Sequence, residues 1–254
     1  MFKTIPNENL SYGEIKMDTD HVLSEKIAPP LDVVKSGSLI ILVGASRSGK
    51  TTQLINLISK PGMKNGYKQS FRKCFHKIIC CSPSLHTLKN DVFKKIPDSQ
   101  KYMDFNNECM DDIQDHLHAS KAQGETDDET KYNLLTLDDV ASQLRANRGN
   151  EMLLTSLLQN RRHKHLTTII VSQKWTSLPT GIRSNADVIL LCGRPKTMQE
   201  SDSITNDVLP IHRKETMDFF NYVYDKPYTT LMIDMTLQKS DKFRYFKNFN
   251  EIII

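Results

Sequence analysis

The chain has 254 residues and a formal net charge of +4, with 38% hydrophobic and 25% charged residues. These values are ordinary for a folded globular protein and exclude a chain that is disordered over most of its length. Its five cysteines are too few for a disulfide scaffold, and the adjacent pair Cys80-Cys81 indicates core thiols in a reducing compartment. No apolar run approaches the roughly 20 residues of a membrane span, and residues 1–10 lack the pattern of a signal peptide.

Short apolar runs alternate with helical patterns along the chain. The predicted strands are, in chain order, Ser38–Val43, Lys77–Cys81, Asn133–Leu137, Thr167–Val171, Val188–Cys192 and Thr230–Met235. The predicted helices are Thr51–Ser59, Glu151–Arg162, Gln199–Leu209 and Lys214–Tyr224. Continuously apolar strands are typical of strands buried on both faces, so the alternation predicts an α/β fold, a mostly parallel sheet with helices on both faces. Residues 1–36 are less periodic and are predicted to be a lead-in that packs on one domain over residues 37–254.

A phosphate-binding motif directly follows the first predicted strand. The eight residues from Gly44 to Thr51 match the pattern G-x-x-x-x-G-K-[ST] in full, and a helical pattern comes next. Its glycines let successive backbone N–H groups point at phosphate oxygens, Lys50 neutralises phosphate charge, and the Thr51 hydroxyl binds Mg²⁺. The motif therefore predicts a P-loop that binds ATP with Mg²⁺. The predicted nucleotide-binding residues are Gly44, Ala45, Ser46, Arg47, Ser48, Gly49, Lys50, Thr51 and Thr52.

Two carboxylates end the predicted strand Asn133–Leu137. A P-loop enzyme needs an acid on a neighbouring strand to hold Mg²⁺ opposite the Thr51 hydroxyl, and Asp138 fits this role. Asp139 is predicted to orient or deprotonate the attacking water, although a helix N-cap is the alternative for this residue. One strand, Lys77–Cys81, separates this acid-bearing strand from the P-loop strand along the chain. That chain order is expected when the sheet has an extra strand between the P-loop strand and the acid-bearing strand.

Polar residues beyond the acidic pair complete the predicted site. Gln173 follows the strand Thr167–Val171, where its amide can bond the third phosphate or the water, or simply cap the strand. Arg183 lies in a predicted loop and could reach the γ-phosphate of a neighbouring subunit as a trans-acting finger. Arg162, on the last turn of a predicted helix, is the rival for that role, and a surface salt bridge is the alternative for either arginine.

Charge is distributed unevenly. Residues 104–129 carry nine acidic residues against one lysine, a net charge of −8 that leaves +12 for the rest of the chain. Within this segment, 123–130 is predicted to be a solvated loop. Three basic groups indicate either solvated surfaces or a surface for nucleic acid, and aromatic residues accompany the third. They are Lys60, Lys64, Lys68, Arg72, Lys73 and Lys77; Arg161, Arg162 and Lys164; and Lys239, Lys242, Arg244 and Lys247 with Phe243, Tyr245, Phe246 and Phe249.

Taken together, these motifs resemble one family. GASRSGKT, LLTLDDV, RRH ahead of TTIIVSQ, and LP-x-x-IRSNAD are similar in order and spacing to the viral genome-packaging ATPases of the FtsK–HerA superfamily, over roughly residues 36–195. The resemblance implies a ring, often hexameric, that hydrolyses ATP to drive double-stranded DNA into a preformed capsid or its portal-like vertex. It assigns catalysis to Lys50, Asp139, Gln173 and Arg183, and the metal to Thr51 and Asp138. Cellular relatives carry Glu where this chain has Asp139.

The same sequence features leave two alternative functions open and disfavour two others. A conjugation- or repair-type DNA pump or helicase of the same superfamily would share the site and differ in its partners. A nucleotide-gated scaffold without hydrolysis is the alternative from another class, because the Asp139 side chain is one methylene shorter than Glu. No Asn-Lys-x-Asp motif supports a GTPase, and the strand order disfavours a nucleoside kinase. The expected location is the host cytoplasm or a viral factory, or the virion itself, without secretion or membrane insertion.

Overall fold

The structure is a computed structural model. It describes Leu23, Ile27 and residues 30–60, 63–64, 66–68, 70–85, 91–121, 132–209, 211–236 and 245–252. The strands are β1 Leu39–Val43, β2 Met63–Lys64, β3 Tyr67–Lys68, β4 Lys77–Cys81, β5 Lys101–Tyr102, β6 Asn133–Asp138, β7 Leu166–Ser172, β8 Val188–Cys192, β9 Thr230–Asp234, β10 Tyr245–Lys247 and β11 Asn250–Ile252. The α-helices are α1 Lys50–Ser59, α2 Asp91–Lys94, α3 Asn107–Lys121, α4 Ala141–Ala146, α5 Arg148–Gln159, α6 Thr180–Arg183, α7 Met198–Val208 and α8 Arg213–Val223.

One sheet organises the described residues. Its nine strands follow the order β11-β10-β9-β8-β1-β7-β6-β4-β5. The six strands from β8 to β5 are parallel, and β9, β10 and β11 add an antiparallel margin beside β8. The six long strands predicted from apolar runs are all present, and the predicted α/β class is confirmed. Parallel strands place all their C-terminal ends at one edge of the sheet, here named the carboxyl edge, and their N-terminal ends at the opposite amino edge.

An extra strand does lie between the P-loop strand and the acid-bearing strand, as the sequence predicted. The strand in that position is β7, which pairs with β1 on one side and β6 on the other. The strand that separates them along the chain, β4, pairs with the far side of β6. Chain order alone therefore indicates the insertion, whereas strand pairing identifies the inserted strand.

Apolar side chains cover both faces of this sheet. In β1, Leu39, Ile41 and Val43 belong to one hydrophobic cluster, and Ile40 and Leu42 belong to the other. Burial on both faces explains why the strand is continuously apolar. The adjacent thiols Cys80 and Cys81 divide between the same two clusters, and both are buried and free, as predicted.

The lead-in over residues 1–36 falls largely outside the described residues. Within it, Leu23, Ile27, Leu31 and Val34 are buried in the cluster on one face of the sheet. Its boundary at residue 36 stays a prediction. Among the described helices, none has both the length and the apolar character that a membrane crossing requires.

The amino edge holds a buried ion pair. Asp187, directly before β8, accepts hydrogen bonds from the Leu39 backbone N–H at 2.7 Å and from Arg161 at 2.7 Å. Arg162 approaches the same carboxylate at 3.4 Å from the solvent side. Asp187 therefore joins β1 to the start of β8, and the buried Arg161 is a structural residue that neutralises this carboxylate. The prediction that Arg161 belongs to a solvated or nucleic-acid-binding surface is wrong.

The structure also corrects the predicted positions of several other residues. Helix α5 ends at Gln159, so Arg162 lies in a separate 3₁₀ turn at the amino edge and not on the last turn of that helix. Tyr245 and Phe246 are buried in the core and are not free to stack on bases. Lys247 contacts Asp225 and the Tyr222 ring. The other basic residues of that third group, and the predicted loop 123–130, lie outside the described residues.

Candidate nucleotide site

The phosphate loop joins β1 to α1 at the carboxyl edge. Gly44 must be glycine, because a Cβ there would lie 2.3 Å from the Cys192 carbonyl oxygen and 2.5 Å from Ser48 Oγ. Gly49 caps α1 in the left-handed region, with φ +96°, where a side chain is strained. The loop thus packs tightly against the end of β8, and the first backbone N–H groups of α1 have no acceptor within the helix, as at any helix N-terminus.

Lys50 is held by its own loop. Its Nζ donates to the carbonyl oxygens of Gly44 at 2.6 Å and Ala45 at 2.9 Å. Partial burial lowers the pKa of this ammonium, and the negative charges of Asp138 and Asp139 oppose that shift. Lys50 has no direct ion pair with any of the residues that the structure describes. A positive charge that is partly removed from water in this way gains strongly from phosphate oxygens.

The acidic pair lies beside this loop because of strand register. Val43 pairs with Ser172, and Val171 pairs with Asp138, so three strands end within one residue step of each other. Burial and the neighbouring charge of Asp139 raise the pKa of Asp138, while Ser82 and Lys50 lower it. Both carboxylates are thus found at the carboxyl edge, as predicted.

Asp139 and Gln173 are in direct contact. Gln173 Nε2 donates to Asp139 Oδ2 at 3.1 Å, and the Asp139 backbone N–H donates to Val171 O at 3.1 Å. Asp139 has φ +58°, a left-handed conformation that aspartate tolerates better than most residues and that reverses the chain directly after β6. Its neighbour Val140 is the N-cap of α4, and the cap bears no side-chain hydrogen bond. The N-cap alternative for Asp139 is therefore wrong.

Sequence reasoning missed Ser82. This fully buried residue follows β4, and its Oγ donates to Asp138 Oδ2 at 3.4 Å. Its signal was a hydroxyl at the end of a strand, but only the pairing of β4 with β6 places that hydroxyl beside the acid.

A second missed group fixes the segment that follows Gln173. Glu200 on α7 accepts from the Trp175 backbone N–H and from the Thr176 hydroxyl, the latter at 2.8 Å. Trp175 Nε1 donates to Asp207 Oδ2 at 2.6 Å. Helix α7 is therefore connected through this segment to the tip of β7, where Gln173 contacts the acidic pair.

Arg183 lies away from the phosphate loop. It ends the short helix α6, so its prediction in a loop is wrong. Its guanidinium lies 5.3 Å from the centre of the Trp175 ring and pairs with Asp207, which leaves the side chain 15% exposed. Arg162 is more exposed, at 58%, but lies at the amino edge. Neither arginine lines a cavity at the phosphate loop of its own chain.

Two cavities flank the phosphate loop. A cavity of about 280 Å³ lies on the Gln173 side and includes Gly44, Ala45 and Ser46 in its lining. A cleft of about 650 Å³ is lined by the next part of the loop and the start of α1, residues 47–53, together with Asn56, Tyr228 and Thr230. All nine predicted nucleotide-binding residues therefore line one of these two cavities. The phosphate loop thus contributes its first residues to one cavity and its last residues to the other.

Comparison with known proteins identifies the family. The model of the poxvirus A32 protein family matches residues 32–237, which include the phosphate loop, the acidic pair and Gln173. The chain belongs to the poxvirus A32 protein family. This assignment confirms the resemblance to viral genome-packaging ATPases of the FtsK–HerA superfamily. Comparison with curated proteins gave no match to this A32-family chain.

Solved structures agree on the fold. The DNA-packaging ATPase B204 from Sulfolobus turreted icosahedral virus matches with a TM-score of 0.56 and 14% identity, over 86% of this chain and 98% of B204. The genome-packaging NTPase B204 of Sulfolobus turreted icosahedral virus 2, in complex with ATP-gammaS, matches with a TM-score of 0.51 and 15% identity, over 85% and 98%. The cytoplasmic domain of the Thermomonospora curvata type VII secretion ATPase EccC matches with a TM-score of 0.51 and 12% identity, over 88% and 27%. At these identities the likeness establishes a shared P-loop NTPase fold.

Proposed function

We propose that this chain is the ATP-hydrolysing subunit of a motor that moves double-stranded viral DNA into a capsid. The observation that carries the proposal is the convergence of Lys50, Asp138, Asp139 and Gln173 at the ends of three adjacent strands. A phosphate-binding lysine, a metal acid, a water-orienting acid and an amide sensor are the groups that phosphate-bond hydrolysis requires. Membership in the A32 family and the shared fold with the B204 packaging ATPases support the choice of DNA packaging.

The chain's own groups divide the chemistry. On ATP binding, the Lys50 ammonium exchanges its two carbonyl acceptors for phosphate oxygens and offsets their charge. Gln173 holds Asp139 Oδ2, which leaves Oδ1 to accept a hydrogen bond and then the proton from the attacking water. Ser82 holds one oxygen of Asp138 in the same way.

Magnesium fits the donor set of this site. The Thr51 hydroxyl and the Asp138 carboxylate are hard oxygen ligands, and Mg²⁺ typically takes only one or two such groups, together with water and substrate phosphates. These two residues would hold it. When bound, the ion supplies positive charge that stabilises the phosphates during transfer.

The working form is proposed to be a ring of six subunits, as the resemblance to packaging ATPases implies. A ring would also supply an arginine from a neighbour, since neither Arg183 nor Arg162 lines the cavities at the phosphate loop of its own chain. In trans, Arg183 would have to exchange Asp207 and Trp175 for a neighbour's γ-phosphate. Rings mixed from Arg183→Ala and Asp139→Asn subunits should regain ATPase activity if the finger acts in trans, since some interfaces then hold both intact groups. Mixing Arg162→Ala with Asp139→Asn subunits tests in the same way whether Arg162 is the trans-acting finger.

The amino edge is the proposed surface for DNA. Arg72 and Lys73, which precede β4, and Arg162 and His163, which precede β7, are all exposed there. Such side chains bind phosphates without recognising base sequence, which suits a motor that must move any sequence. A capsid or portal-like vertex is the proposed docking partner, and the host cytoplasm, viral factory or virion is the proposed location.

Phosphate release measured with linear duplex DNA and Mg²⁺ tests the hydrolytic part. Lys50→Ala should lower turnover by at least about a hundredfold, because a preorganised charge at the transferring phosphate is lost. Lys214→Ala, which changes an exposed lysine on α8 outside the three basic groups, is the matched control and should leave turnover unchanged. Background release by the wild-type chain would refute hydrolysis and favour the nucleotide-gated scaffold.

Displacement of a triplex-forming strand from duplex DNA tests the mechanical part. A double-strand translocase removes the third strand while the duplex stays paired, and Lys50→Ala should abolish that removal. Separation of the duplex strands would instead identify a helicase of the same superfamily.

A further inference from the structure

An exposed tyrosine lies beside the phosphate loop. The Tyr228 side chain is 76% exposed, although tyrosine usually buries much of its ring, and neither hydrophobic cluster of the described residues includes it. A Cβ built on Gly49 would lie 3.7 Å from Tyr228 Cδ1, which is van der Waals contact. The ring therefore forms a wall of the 650 Å³ cleft together with the first two turns of α1.

The turn that carries Tyr228 is held on both sides. Thr229 Oγ1 donates to Lys226 O at 2.9 Å, and the Gly193 backbone N–H donates to Thr229 O at 3.1 Å. At the start of β9, the Thr230 backbone N–H donates to Oδ1 of Asn248, which lies between β10 and β11, at 2.9 Å. The antiparallel margin of the sheet thus holds the backbone on the C-terminal side of Tyr228 in place, so a flat ligand that packs on the ring need not order this turn.

The direction of the nucleotide follows from the two cavities. Asp139 and Gln173 must face the terminal phosphate, and Gln173 lines the smaller cavity on one side of the loop. Lys50, Thr51 and Thr52 line the larger cleft, and Gln173 is not part of that lining. A nucleotide with its terminal phosphate at Gln173 therefore extends its sugar and base into the cleft with Tyr228.

We infer that Tyr228 is the stacking platform for the nucleotide base and favours the larger face of a purine. The inference rests on the proposed function, because the phosphate loop must first hold the triphosphate. Stacking on an aromatic ring depends on the area of the base and not on its hydrogen-bonding edge. Recognition by Tyr228 therefore separates purines from pyrimidines more strongly than adenine from guanine.

Equilibrium binding of ADP, UDP and inorganic tripolyphosphate to the full chain with Mg²⁺ tests the inference. Tyr228→Ala should weaken ADP binding about tenfold, the effect of losing one aromatic stack. It should weaken UDP less, and it should leave tripolyphosphate, which has no base, at the wild-type affinity. Tyr228→Phe retains the ring and should restore tight ADP binding.

Tyr222 supplies the matched control. It is a 60% exposed tyrosine on α8 that packs against Lys247 and does not line the cleft, so Tyr222→Ala should bind all three ligands as the wild type does. Unchanged ADP affinity in Tyr228→Ala, or an equal loss for tripolyphosphate and ADP, would overturn the inference. Failure of the wild-type chain to bind ADP or tripolyphosphate would instead overturn the proposed nucleotide site itself.

Discussion

The two edges of the parallel sheet use polar residues in opposite ways. At the carboxyl edge, Lys50 donates to two carbonyl oxygens of its own loop and Gln173 donates to Asp139, and all three side chains keep hydrogen-bonding capacity for a ligand. At the amino edge, Asp187 is buried and shared by a backbone N–H and two arginines, while the other cations are solvated. This difference shows that burial of a charged side chain is not enough to identify it as a functional residue. What matters is whether the buried charge is already satisfied.

The largest effect is expected from Asp139 at the carboxyl edge. Asp139→Asn removes the group that takes the proton from water and should lower ATP turnover by about 10²- to 10⁴-fold, with little change in the midpoint of thermal unfolding. Single-turnover phosphate release measures the effect. Asp111→Asn, an exposed aspartate on α3, is the control and should hydrolyse ATP normally. Normal turnover in Asp139→Asn would show that another group activates the water.

Asp187 should give the largest loss of stability. Asp187→Ala leaves the buried Arg161 guanidinium without its carboxylate and should lower the free energy of unfolding by about 3–5 kcal/mol, measured by urea titration. Asp98→Ala breaks the surface pair with Lys101, where the aspartate is fully exposed. Because water already screens that pair, this control should stay close to the wild type. Equal stability of the two variants would contradict the contrast between the edges.

A smaller effect on turnover is expected at Gln173. Gln173→Ala releases Asp139 Oδ2 and should lower kcat about tenfold, the value of one hydrogen bond to a charged group. Gln173→Glu should lower it further, because it puts a second carboxylate beside Asp139. Steady-state kinetics with saturating ATP measures both. If Gln173→Glu were as active as the wild type, the amide would have no role in holding the acid.

The smallest effect concerns DNA at the amino edge. Arg72→Ala combined with Lys73→Ala should reduce the slope of log affinity against log salt by about two, since each cation releases close to one counterion. The carboxyl-edge pair Lys196→Ala and Lys226→Ala is the control, with the same loss of charge. Duplex DNA binding at several salt concentrations measures the slopes. A larger change in the control pair would place DNA at the carboxyl edge.

Much of the site could be predicted because its signals are local. The phosphate loop lies within eight consecutive residues, and the acids and Gln173 each follow an apolar run that had to be a buried strand. Ser82 and Glu200 could not be assigned in this way, because a lone hydroxyl or carboxylate has no pattern around it. Their roles depend on partners 56 and 25 residues away in the chain.

By itself, the sequence determined the α/β class, the P-loop, and the acids and Gln173 that meet beside it at the carboxyl edge. It could do so because strand burial and phosphate binding each impose a short local pattern. Only the tertiary structure decided that β7 lies between β1 and β6, that Arg161 is buried on Asp187, and that Tyr228 faces the cleft. Each of these depends on which distant segments pack together. Packing is set by the combined burial of the whole core, which no short stretch of residues contains.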